Sequence, residues 1–153
     1  MTLLARIERL EAESAIRRLM ADYCHGFDKR EWDRFASVWQ DGAVWAIVDA
    51  GLEFVGVPAI VAQGKSMWIE HGMLQSHHHN ANAVIDVDLG AAVANGMTDV
   101  HVNVQLADRS WQRQIATYVD RYERRDGVWK MVRREASGTA HWTIPASEND
   151  RQA

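Results

Sequence analysis

Tyr23-Cys24-His25-Gly26-Phe27-Asp28-Lys29-Arg30-Glu31-Trp32-Asp33-Arg34-Phe35-Ala36 is the junction from which the rest of the chain can be read. Before it, Leu4, Ile7, Leu10, Ile16, Leu19, Met20 and Tyr23 recur at helical intervals, which predicts one long amphipathic helix from about Leu3 to Phe27. Gly26 favours a stop near its C-terminus. After the junction, Trp32, Phe35, Ala36 and Trp39 mark one face of a short second helix. Asp28 thus sits at a helix-to-helix turn in apolar surroundings. A carboxylate held there can have a raised pKa and act as a proton-abstracting base. The plain alternative is that it caps the second helix, since Asp is a favoured N-cap.

The chain then changes character. Asp41-Gly42 signals a turn, Ala43 to Val48 reads as a strand, and Gly51 to Gly56 as a turn into a short strand. Pro58 to His71 reads as a helix with its proline in the first turn. From there on the period is two. Val100, Val102, Val104 and Leu106 alternate with Asp99, His101, Asn103 and Gln105, and strands are expected over about 75–88, 97–107, 111–123 and 128–137. Asp126-Gly127 between the last two predicts a tight hairpin. Helices first and a strand meander afterwards imply an α+β fold rather than alternating βαβ units. No repeat or linker interrupts it, so one domain is expected over 1–145 with a polar, fraying tail over 146–153.

Composition narrows the function. At 153 residues, 47% apolar and 25% charged, this is an ordinary globular composition with enough chain for a core. A net charge of -4 without a basic tract argues against nucleic acid. No apolar run approaches the ~20 residues of a membrane span. Charges at helical spacing near the N-terminus are unlike a secretory signal. The lone Cys24 cannot form an internal disulfide, which fits a cytoplasmic protein. Seven tryptophans suggest an aromatic core, a wide pocket or a subunit interface.

The ordered set of Tyr23-x-x-x-x-Asp28, Trp32 to Trp39, Asp41-Gly42-Ala43-Val44-Trp45, His78-x-x-x-Asn82-x-x-Ile85-Asp86, the strand from Tyr118 to Arg125 and Asp126-Gly127-Val128-Trp129-Lys130 resembles the SnoaL-like branch of the nuclear-transport-factor-2-like superfamily. Within it, order and spacing resemble most the gamma-hexachlorocyclohexane dehydrochlorinases, and more distantly the scytalone dehydratases and bile-acid 7α-dehydratases. The resemblance spans about residues 5 to 140. It implies a cone: a strongly curved antiparallel sheet wrapped around an apolar pocket and roofed by helices. It also implies a homodimer or homotrimer and no cofactor. In those lyases an acid at the helix turn orients a histidine that removes a proton. By position these are Asp28 and His78, and an arginine on the last strand falls on Arg134. The dehydrochlorinases carry lysine where this chain has Tyr23. A tyrosine there resembles the dehydratases, in which a phenol can hydrogen-bond a substrate carbonyl or hydroxyl.

The residues themselves leave alternatives open. Along Ser76-His77-His78-His79-Asn80-Ala81-Asn82, simple alternation puts His77 and His79 on the face of Ala81, Ala83, Ile85 and Val87, the apparent core face. Motif register favours His78 instead. A β-bulge between the histidines and Ala83 would reconcile the two. His77 and His79 could also be two metal ligands, but no third ligand has suitable spacing, and no metal is expected. Tyr23 is as compatible with a core role as with a donor role. A half-buried Arg134 needs a partner: Asp28, a substrate anion, or an ordinary salt bridge. Trp45, Trp68, Asn82 and Tyr118 are the expected pocket walls, while His101 and His141 read as structural or exposed.

The resulting expectation is a cofactor-independent lyase acting on a small hydrophobic cyclic molecule, with catalytic Asp28, His78, Tyr23 and Arg134. A ketosteroid-isomerase-like enzyme with Asp28 as base, and a binding module without chemistry, are the alternatives.

Overall fold

The computed structural model describes residues 2–147. Helices α1 (Leu3–Asp28) and α2 (Trp32–Ser37) are followed by β1 (Trp39–Ile47), a 3₁₀ turn (Val48–Ala50), β2 (Leu52–Val55), α3 (Val57–Glu70), β3 (Met73–Asp88), β4 (Val93–Leu106), β5 (Trp111–Arg125) and β6 (Val128–Ile144). The strands form one curved sheet in the order β2-β1-β6-β5-β4-β3, not closed into a barrel. The α+β class and helix-roofed sheet are as expected. One pairing differs: β1 runs parallel to β6, while the other four are antiparallel. The long connection through α3 and the meander allows this, because a parallel pair needs a crossover and not a hairpin.

Three readings of the helices change. Thr2 caps α1 by accepting the Ala5 N–H at 3.2 Å, yet Leu3, Leu4 and Leu10 remain at least 65% exposed. The buried stripe begins at Ala12 and continues through Ile16, Met20, Tyr23 and Phe27. Gly26 does not stop the helix, which runs on to Asp28. A Cβ at Gly26 would lie 2.5 Å from the Phe35 backbone nitrogen, so the glycine lets α2 pack directly on α1. Trp39 belongs to β1 rather than α2, because the helix ends at Ser37.

The turns follow local chemistry. Asp126 and Gly127 both have positive φ, 50° and 79°, which a two-residue hairpin with the sheet's own twist requires. Pro58 sits in the first turn of α3. Between β3 and β4 the register slips once: Ala81 faces Asp99 and Val84 faces Met97, so Asn82 and Ala83 oppose the single Thr98. This is the bulge that the two conflicting readings of β3 required. Asn82 takes the left-handed conformation there (φ 53°), which asparagine tolerates better than most residues. Downstream, Ile85 and Val87 turn to the core; upstream, Ser76 and His78 do so.

The core lies between the helices and the concave face. Tyr23, Phe27, Phe35, Trp39 and Trp45 form one aromatic cluster with ring centroids 5.2–6.5 Å apart. Full burial of Phe35 alone contributes roughly 1.5–3 kcal/mol. Trp45, Trp68 and Trp129 are also core residues, whereas Trp142 is half exposed. No helix among the described residues is long and apolar enough to cross a membrane. The polar tail expected from residue 146 lies, from 148 onward, outside the described residues.

Gly26→Ala forces the α1–α2 contact apart, and overpacking of this kind costs about 1–3 kcal/mol. Thermal unfolding of the variant is expected several degrees below that of the wild type, and an unchanged midpoint would contradict the close approach.

Candidate active site

A cavity of about 500 Å³ opens between α1, α3 and the concave sheet, a size typical of small-molecule sites. Its base is apolar and aromatic, with Tyr23, Phe27, Trp45, Met67, Val102 and Tyr118 among the walls. His78 projects into it from β3.

Asp28 ends α1 beside that wall. Its carboxylate accepts three hydrogen bonds, all from β3. Oδ1 takes the Ser76 hydroxyl at 2.7 Å and His78 Nδ1 at 2.6 Å, and Oδ2 takes the His78 backbone N–H at 2.7 Å. Both side chains of the pair are 6% exposed. Burial alone would raise the acid's pKa. The His78 and Ser76 hydrogen bonds and the imidazole's charge outweigh it, so the carboxyl lies below its usual value, opposite to the raised value expected of an acid in apolar surroundings. With Nδ1 donating to Asp28, the imidazole presents its Nε2 lone pair to the cavity, the arrangement of an oriented general base. Asp28 does not cap α2, whose N-cap residue is Glu31 and has no side-chain cap.

The turn carrying Asp28 is pinned from outside. Trp68 Nε1 donates to the Phe27 carbonyl at 3.2 Å, and the Arg30 guanidinium stacks 4.8 Å from the Trp68 ring. Trp68, expected as a pocket wall, is therefore a support behind the wall. Asn82 also leaves the expected set: at the bulge it lines a shallow outer depression with Arg17 and Met20. Trp45, Tyr23 and Tyr118 do line the cavity. His77 and His79 share the face opposite to His78. Among the described residues, no group of three or more His, Cys, Asp and Glu is arranged to hold a metal.

Arg134 is fully buried and pairs with Asp120, neither Asp28 nor open cavity, through Nε–H at 2.8 Å and Nη2–H at 2.7 Å. The Tyr122 hydroxyl donates to the same carboxylate at 2.7 Å. The guanidinium lies between the rings of Tyr23 and Tyr118, 4.1 and 4.2 Å from their centroids. It thus stands behind the two phenols that face the cavity. Burial pushes the Tyr23 phenol up to about 12, against the pull of Arg134, so it is a neutral donor near pH 7.

Sequence reading missed Ser76, whose parity with His78 was the available signal, and the even-numbered walls Val102, Val104, Gln112, Gln114 and Ala116. The alternation in β4 and β5 contains them; only the sheet's curvature shows that this face lines a cavity. His141, read as structural or exposed, stands at the mouth.

The family model described as a SnoaL-like domain matches residues 8–135. Gamma-hexachlorocyclohexane dehydrochlorinase from Sphingobium indicum is 33% identical over 132 residues, 85% of this chain and 82% of that protein. The solved hexachlorocyclohexane dehydrochlorinase LinA-type3 from Novosphingobium barchaimii superposes with a TM-score of 0.82 at 27% identity, over 91% of this chain and 94% of that one. An NTF2-like protein with a cystatin-like fold from Novosphingobium aromaticivorans gives 0.76 at 21% identity, over 98% and 93%; at that identity the likeness concerns the fold alone.

The lowered Asp28 pKa has a signed consequence. An acid whose folded-state pKa is depressed stabilises the fold above its unfolded value, ~3.9, and loses that contribution as pH falls through the folded value. Below about pH 4 the wild type should therefore lose unfolding free energy more steeply than Asp28→Asn. Denaturant titrations between neutral pH and about pH 2 measure this; equal slopes would show that the carboxylate is not preferentially ionised in the fold.

Proposed function

The chain belongs to the SnoaL-like family, and on that premise we propose that it is a cofactor-independent lyase of dehydratase or dehydrohalogenase type, in which His78 abstracts a proton from carbon. The observation that carries this reading is the 2.6 Å contact between His78 Nδ1 and the Asp28 carboxylate at the wall of a largely apolar cavity. Asp28 fixes the tautomer and stabilises the imidazolium as the proton arrives. The C–H electron pair becomes the new double bond as the leaving group departs from the adjacent carbon. Tyr23, neutral at the base, donates a hydrogen bond to an oxygen on which charge develops. Arg134 touches no cavity space; its part is to hold the Tyr23 and Tyr118 rings in place. Apolar walls keep competing water from the base.

The same geometry weakens the reading in which Asp28 is itself the base. Its oxygens are occupied by three donors, and His78, not Asp28, borders the cavity.

A panel of cyclic halogenated and β-hydroxy carbonyl compounds, followed by mass spectrometry of the products, tests the reading. His78→Ala and Asp28→Asn should each lower kcat/KM by about 10²–10⁴. Full activity of His78→Ala on a turned-over substrate would remove the base; binding without turnover across the panel would favour a binding module. Self-assembly belongs to the same reading. Val84, Met97 and Val119 form one exposed apolar row across three strands of the outer face, the kind of surface that a second copy covers. A dimer or trimer is expected by light scattering at micromolar protein, against which a monomer would count.

A further inference from the structure

His78 does not stand alone on its row of the sheet. In register across four strands, His78 of β3 faces Val102 of β4, Val102 faces Gln114 of β5, and Gln114 faces His141 of β6. All four side chains border the cavity. Neighbouring strands are ~4.8 Å apart, so Gln114 lies ~10 Å and His141 ~14 Å from His78, measured along the sheet. Directly opposed cross-strand residues have Cβ atoms ~5 Å apart, close enough for Gln114 and His141 to engage one group together. No hydrogen bond among the described residues holds the Gln114 amide or the His141 ring.

The wall is graded. Along β5 the cavity-facing residues run Gln112, Gln114, Ala116, Tyr118, from polar mouth to aromatic base. The lining contains neither lysine nor arginine, and its one carboxylate, Asp49, is occupied by the Gly138 N–H. A phosphate or carboxylate would find no lysine or arginine there. A hydroxyl, carbonyl or amide would find both donors and acceptors, because a glutamine amide offers each.

Resting on the lyase reading above for the position of the reacting carbon, we propose that Gln114 and His141 form a second, polar subsite that binds an uncharged hydrogen-bonding group of the substrate at most ~10 Å from the carbon that His78 deprotonates. The substrate is then elongated: an apolar ring at the aromatic base, and a second ring or side chain ending in a hydroxyl, carbonyl or amide at the mouth. A single unextended ring lying against His78 would leave this pair unused.

Binding of two matched probes tests the subsite without turnover. 4-(4-Hydroxyphenyl)cyclohexanone carries a distal hydroxyl at about the required reach, and 4-phenylcyclohexanone lacks it. Calorimetry on the full chain should show the hydroxylated probe binding about tenfold more tightly, the worth of one net hydrogen bond. Gln114→Leu and His141→Leu should each shrink the affinity ratio between the two probes to within about twofold, with an unchanged circular dichroism spectrum reporting an intact fold. Equal wild-type affinities, a preference that survives Gln114→Leu, or no binding of either probe would each overturn the proposal. Because affinity is the readout, a subsite that behaves as expected in a protein whose His78→Ala variant keeps full turnover would overturn the base assignment alone.

Discussion

The three hydrogen bonds that β3 gives to the Asp28 carboxylate are the constraint on which the rest of the arrangement turns. They join the C-terminal end of the first helix to the fourth-to-last sequence segment of the sheet, nearly fifty residues later. An ionised carboxylate with little exposure is costly unless its oxygens are satisfied. Here a hydroxyl, a backbone N–H and an imidazole satisfy it together, and the acid stays ionised despite its burial. The same bonds that make the buried charge tolerable also orient the imidazole. Stability and proposed chemistry therefore rest on one set of contacts, and neither Ser76 nor His78 could move without unpairing Asp28.

A second buried charge supports the opposite side of the cavity. Arg134 and Asp120 form a two-pronged pair with no exposure on either side chain, joined by Tyr122 and covered by the Tyr23 and Tyr118 rings. Breaking such a pair leaves an uncompensated charge in the core, a cost of about 3–5 kcal/mol. Its position explains why a strand arginine that resembles a catalytic residue in sequence does not border the cavity. The guanidinium is spent on Asp120, and what reaches the cavity is a pair of phenols. In a chain with tyrosine at position 23, the polar groups at the cavity base are neutral donors, which suits developing negative charge on oxygen better than it suits capture of an ion.

The base and mouth of the cavity thus differ in kind. The base is aromatic with phenol donors; the mouth carries amides and imidazoles. Tyr118 and Gln114 share one face of β5, so that strand fixes their separation without any loop having to close. The relation to the dehydrochlorinases is one of family and scaffold.

Much of this was legible in the sequence, for identifiable reasons. Periodicity of 3.6 and then of 2 reports which residues share a face, and that is a local property of the backbone; the helices-then-strands order, the Asp-Gly hairpin and the position of Asp28 at the α1–α2 junction follow from it. Conflict between parity and motif around the three histidines called for a bulge between them and Ala83, and the strand register sets it at Asn82 and Ala83. What sequence could not decide were the contacts between segments far apart in the chain. That Gly26 is a site of close packing and not a helix stop depends on Phe35 approaching within a Cβ's reach. That Arg134 pairs with Asp120 depends on β5–β6 register. That Trp68 lies behind the pocket, that Asn82 lies outside it, and that Gln114 and His141 stand in line with His78 depend on how the sheet curls and where its strands align. Those are set by the global balance of burial and hydrogen-bond satisfaction, which no local spacing encodes.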